Sequence, residues 1–95
     1  MISKKAEYSV RKDKLDEIKK AISEFVKAIK ENESLTFYEA YQIDNSDNFV
    51  HIMSFQDKKS EEKHKNADYT IKFVSILYPN CIQKPIFTKI TKINN

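Results

Sequence analysis

Apolar side chains recur along this chain in two different rhythms. Between Lys5 and Arg11, the residues Ala6, Tyr8 and Val10 alternate with charged or hydroxyl side chains, which predicts a half-buried strand with one wet face. From Leu15 the spacing changes. Leu15, Ile18, Ile22, Phe25, Val26 and Ile29 fall on a stripe roughly 100° wide, opposite Lys14, Glu17, Lys20, Glu24, Lys27 and Glu31. That pattern predicts a surface helix lying on something flat, with Asp13 as its cap. Asn32 to Ser34 close the helix, and the two-residue rhythm returns from Leu35 to Ile43. It returns once more from Phe49 to Phe55, where Phe49, His51, Met53 and Phe55 oppose Val50, Ile52 and Ser54. Only polar residues, Asp44 to Asn48, separate these two runs, so they form an antiparallel hairpin.

Asp57 then stands where it can cap a second helical region, reaching to about Tyr78 with room for a break near Asn66. In an unbroken helix His64, Ala67, Ile71, Val74 and Tyr78 share one face, with Tyr69, Phe73 and Ile76 on the other. Pro79 and Pro85 end the helix and predict an irregular segment around Asn80, Cys81 and Ile82. Alternation from Ile86 to Ile93 gives a last strand, and the tail Asn94-Asn95 is expected to fray.

The order β-α-β-β-α-β predicts an α+β, ferredoxin-like domain over residues 1–95. Its four-stranded antiparallel sheet carries both helical regions on one face. The middle hairpin, however, is apolar on both faces. The uncovered face therefore predicts a homodimer, packed sheet to sheet.

Composition narrows the chemistry. There is no glycine, which excludes a phosphate-cradling loop or a dinucleotide fingerprint. The net charge of +3 is spread over scattered lysines, so nucleic acid is not an expected partner. No apolar run approaches the roughly 20 residues that span a bilayer, so no membrane partner is expected. The N-terminus has no apolar leader, and the single cysteine, Cys81, fits a reducing cytoplasm.

His64 is the leading candidate for chemistry, since its helical angle turns it towards the sheet; the plainer reading is a core-edge histidine bonded to backbone. His51 is a second candidate base or, more plainly, a cross-strand partner of Glu39 or Tyr41. Tyr38 offers a hydroxyl that could orient a substrate, or a packing ring. Met53, Phe55, Phe73 and Tyr78 are candidate walls of a pocket for an aromatic molecule, or plain core. Two histidines without a third ligand at metal spacing give no metal site. Cys81 reads as a structural or incidental thiol.

The segment FVHIMSFQDKKSEEKH, with the strand around Thr36-Phe37-Tyr38 and the late LYPNCIQKPIF, resembles the antibiotic biosynthesis monooxygenase family over nearly the whole chain. That family often shows a Phe, then Glu, one residue, an aromatic that is usually Trp, and a His nine residues on. Phe49, Phe55 and His64 match; Met53 stands in the place of the Glu, and Phe55 in that of the Trp. The resemblance implies a dimeric α+β barrel and an oxygenase that needs neither metal nor flavin. Such an enzyme oxidises a small aromatic or quinol-type molecule with O₂, here with His64 as base or orienter, assisted by Tyr38 and His51. The alternative is a dimer of the same fold that binds a small ligand, or serves in stress, without turnover. Haem degradation, known among related proteins, is a third reading.

Overall fold

The computed structural model describes residues 1–94; Asn95, and with it the end of the tail expected to fray, lies outside them. Strands β1 (Ile2–Val10), β2 (Phe37–Gln42), β3 (Asn48–Phe55) and β4 (Cys81–Ile90) form one antiparallel sheet in the order β2-β3-β1-β4. Helices α1 (Leu15–Asn32), α2 (Lys58–Asn66) and α3 (Asp68–Leu77) complete the described chain, with single 3₁₀ turns at Lys12–Lys14 and Tyr78–Asn80. This is the ferredoxin-like α+β arrangement expected from the element order.

The core follows the two rhythms. Ala6, Tyr8, Val10, Tyr38, Phe49, Met53 and Phe55 are buried on one face of the sheet, under Ile18, Ala21, Ile22, Phe25 and Ile29 of α1. Phe73 and Leu77 of α3 close the layer, the Phe73 ring stacking on Phe25 at 4.4 Å between centres. In the hairpin turn, Asn45 takes a left-handed conformation (φ 49°), which asparagine tolerates better than most residues in a chain without glycine.

Three expectations are corrected, and two hold. Asp13 does not cap α1: it lies in the 3₁₀ turn and pairs with Arg11, and the helix starts after Lys14 without a side-chain cap. Asp57 does cap α2, accepting from the Ser60 amide at 2.8 Å. The break near Asn66 is real and lies at Ala67, whose extended backbone (ψ 145°) rotates α3 relative to α2. The buried face of α3 is therefore Thr70, Phe73 and Leu77, and Ile71, expected inside with His64, is exposed.

The third correction concerns β4, which already begins at Cys81 rather than at Ile86. Glu7 pairs with Ile86 and Ser9 with Gln83, so β4 has one residue more than β1 over this stretch, a bulge at Lys84–Pro85. Proline lacks an N–H but is tolerated at a bulge on an edge strand, which is where β4 lies.

The far face of the sheet bears Phe37, Tyr41, Val50, Ile52, Ile86 and Ile90 by strand register. Phe37, Tyr41 and Ile86 are each about half exposed there. No described helix is long and apolar enough to cross a membrane.

Candidate functional site

Between the sheet and the helices lies a cavity of about 440 Å³. His64, His51, Tyr38, Met53, Phe55, Phe73 and Tyr78, all singled out from the sequence, line it. Its walls are mainly apolar rings, and two hydrogen-bonded networks interrupt them.

The first network is built by sheet register. His51, in the middle of β3, has Ala6 directly opposite on β1 and Ala40 directly opposite on β2. Two methyl groups leave the space above the sheet open, and the diagonal neighbours fill it. Tyr8 lies beside Phe49 and Tyr38 beside Met53, so the two phenols lean on His51 from opposite directions. The Tyr8 hydroxyl lies 2.7 Å from His51 Nε2 and that of Tyr38 2.6 Å from Nδ1. His51 is only 1% exposed, and burial pushes its pKa down to about 4. Burial likewise raises both phenols well above the usual tyrosine range. All three groups are therefore neutral at pH 7. The expected pairing of His51 with Glu39 or Tyr41 does not occur, because those residues point to the other face of β2 and bond to each other.

The second network joins three helices. Glu33, just past the end of α1, accepts from His64 Nδ1 at 2.9 Å and from the Tyr69 hydroxyl through Oε2. Its other oxygen accepts from Thr36 at 2.9 Å. The side chains of Glu33 and His64 are 5% and 8% exposed. A carboxylate at the C-terminal end of a helix faces the negative end of the dipole, an unfavourable place that these three donors offset. With Nδ1–H committed to Glu33, the neutral imidazole carries its lone pair on Nε2, which has no partner among the described residues. The ring is held by Phe25, Phe55 and Tyr38, at 5.7, 5.0 and 5.7 Å between centres.

Glu61, buried on α2, pairs with Lys4, and both line the cavity with Lys65, Pro85 and Phe87. The Lys4 ammonium, bonded to it, holds the Glu61 carboxyl below its usual range. Thr70 also lines the cavity, and its buried hydroxyl oxygen is without a hydrogen-bond partner among the described residues. Cys81 lies outside the lining, and burial pushes its thiol up, away from thiolate chemistry. Among the described residues no three His, Cys, Asp or Glu side chains gather as metal ligands.

Sequence reasoning missed Tyr8, Glu33 and Tyr69. Their signals were present: Ala6-x-Tyr8 and Tyr38-x-Ala40 are mirror images, as two antiparallel neighbours of one histidine require. Glu33 was an acid where a helix end favours a base.

Neither the known family models nor the curated proteins contain a match to this chain. Solved structures do match. One described as an antibiotic biosynthesis monooxygenase superposes with a TM-score of 0.87 at 16% identity, covering 99% of this chain and 100% of its own. The protein Rv0793 from Mycobacterium tuberculosis gives 0.86 at 9% identity, over 99% and 96% of the two chains. A candidate antibiotic biosynthesis monooxygenase from Nitrosomonas europaea gives 0.87 at 14%, over 97% and 89%. The chain has the fold of an antibiotic biosynthesis monooxygenase. At these identities the likeness is one of fold, and the chemistry has to be argued from the cavity.

Proposed function

We propose that this chain is a cofactor-independent monooxygenase of a small aromatic or quinol-type molecule. The observation that carries the reading is the Glu33–His64 pair at the wall of an apolar cavity. An aromatic hydroxyl seated against His64 Nε2 gives up its proton there, and Glu33 steadies the imidazolium that forms. The resulting phenolate is electron-rich, and an enclosure of Phe25, Phe55 and Phe73 keeps water away from it. O₂ then takes electrons from the anion. One oxygen atom enters the ring as a quinone carbonyl, and the other leaves as water with the two hydrogens the phenol has lost. The neutral Tyr8–His51–Tyr38 network supplies hydrogen-bond donation without a competing charge.

Oxygen uptake by metal-free protein against a panel of quinols and polycyclic phenols tests this. Uptake well above autoxidation, abolished in His64→Ala, is the expected result; uptake equal to the protein-free control across the panel counts against it. A second reading is favoured by Met53, which lines the cavity where the resembled pattern carries a Glu. It is a ligand-binding dimer without turnover, and tight binding of panel compounds with no uptake selects it.

We further propose that the single domain works in the cytoplasm as a homodimer joined through the far face of its sheet. Phe37, Tyr41 and Ile86 lie about half exposed on that one face, an apolar surface for a second copy to cover. Light scattering at micromolar protein should give twice the 11.2 kDa of the chain, and a mass near 11.2 kDa removes the dimer.

A further inference from the structure

The Tyr8–His51–Tyr38 network has a property that follows from counting protons. Two phenols and a neutral imidazole bring three donor hydrogens, yet only two hydrogen bonds link them. One phenolic proton is always left over. If His51 carries its proton on Nδ1, it donates to Tyr38, Tyr8 donates to Nε2, and the Tyr38 hydroxyl is free. In the other tautomer the free hydroxyl is that of Tyr8. Both tyrosines line the cavity, so in either state an uncharged donor is available to an oxygen bound there.

The base stands close by. The rings of His64 and Tyr38 lie 5.7 Å apart between centres, so a ligand touching one is within reach of the other. A fixed base and a neutral phenolic donor in an apolar enclosure are the two groups that enolisation needs. We propose that this cavity catalyses proton transfer at a carbon next to a carbonyl group, in the absence of oxygen, on cyclic ketones fused to an aromatic ring. The C–H bond breaks and its proton goes to His64 Nε2. The electron pair forms the enolate C=C bond, and the carbonyl oxygen takes the charge while accepting from the free tyrosine hydroxyl. Return of the proton to the same carbon, or to a conjugated one, completes an exchange or an isomerisation. No electrons leave the substrate, so no oxidant is required. The inference shares its base with the oxygenase reading and stands independently of O₂.

The probe is 2-tetralone, whose benzylic protons exchange through an enolate, followed by proton NMR in D₂O under nitrogen. Wild-type protein should raise the exchange rate at least about tenfold over buffer, and His64→Ala should return it to the buffer rate. Because either tyrosine can hold the free proton, Tyr8→Phe and Tyr38→Phe should each keep part of the enhancement, and the double variant should bring the rate close to that of buffer. Retained binding of 2-tetralone, followed by line broadening, shows that a slow variant is still folded around the cavity. Wild-type exchange at the buffer rate, no binding of the probe, or a rate unchanged in His64→Ala overturns the proposal. Exchange without oxygen uptake upholds it while sinking the oxygenase reading, and uptake without exchange does the reverse.

Discussion

Replacing His64 by alanine is expected to lower substrate oxidation about 10²- to 10⁴-fold, the usual contribution of a positioned general base. Glu33→Gln should cost less, about 10- to 100-fold, because Glu33 acts through His64 rather than on the substrate. The amide keeps an oxygen that can accept from Tyr69 or Thr36, so the fold around it survives. What is lost is the charge that holds the proton on Nδ1 and steadies the imidazolium. The loss should therefore appear in kcat, with KM little changed, since Glu33 does not line the cavity. Steady-state oxygen uptake on a turned-over panel compound separates the two parameters. A fall in Glu33→Gln confined to KM would show that Glu33 shapes the pocket and does not orient the base.

Acidification provides the second large effect, this time on stability. His51 has its pKa lowered from 6.5 to about 4 by burial, so between those values the unfolded chain binds a proton that the folded chain refuses. Stability from this group is complete above about pH 6.5 and is lost as the pH falls towards 4. The whole window amounts to about 3 kcal/mol at 1.36 kcal/mol per unit. Below pH 4 both states are protonated and His51 contributes no further slope. Asp57 and Glu61, whose carboxyls are held below their usual range, lose their contributions in the same sense at lower pH. Urea unfolding at pH 7 and pH 4.5, at one protein concentration, should show a loss of about 2.5 kcal/mol in the wild type. His51→Gln should remove most of that loss. An equal loss in both proteins would mean that the slope comes from elsewhere.

The fold was legible because side-chain period reports burial directly. The alternation at Ala6, Tyr8 and Val10 and at Phe49, His51, Met53 and Phe55 named the inner face of β1 and β3. The stripe from Leu15 to Ile29 named the face of α1. Period fails wherever a backbone irregularity resets the phase. One extended residue, Ala67, moved Ile71 out and Thr70 in; the bulge at Lys84–Pro85 hid the first half of β4. The cavity's composition was legible for the same reason as the fold, since the seven lining residues named from the sequence all sit on faces that alternation or helical spacing had marked. Its wiring was not. Tyr8 reaches His51 only through the register of β1 against β3, and Glu33 reaches His64 across 31 positions of sequence. The local hints, a mirror-image Ala/Tyr pair and an acid at a helix end, mark the residues but not the partners they reach.

In the proposed mechanism Glu33 fixes His64 with its lone pair on Nε2, facing a bound aromatic hydroxyl. Long-range ¹H–¹⁵N correlation NMR of His64 above neutral pH, with and without 2-naphthol, reads that nitrogen directly. The expected spectrum shows a protonated Nδ1, an unprotonated Nε2, and an Nε2 resonance that shifts as the naphthol donates to it. A proton on Nε2, or an Nε2 resonance unmoved by naphthol, would overturn this role for Glu33.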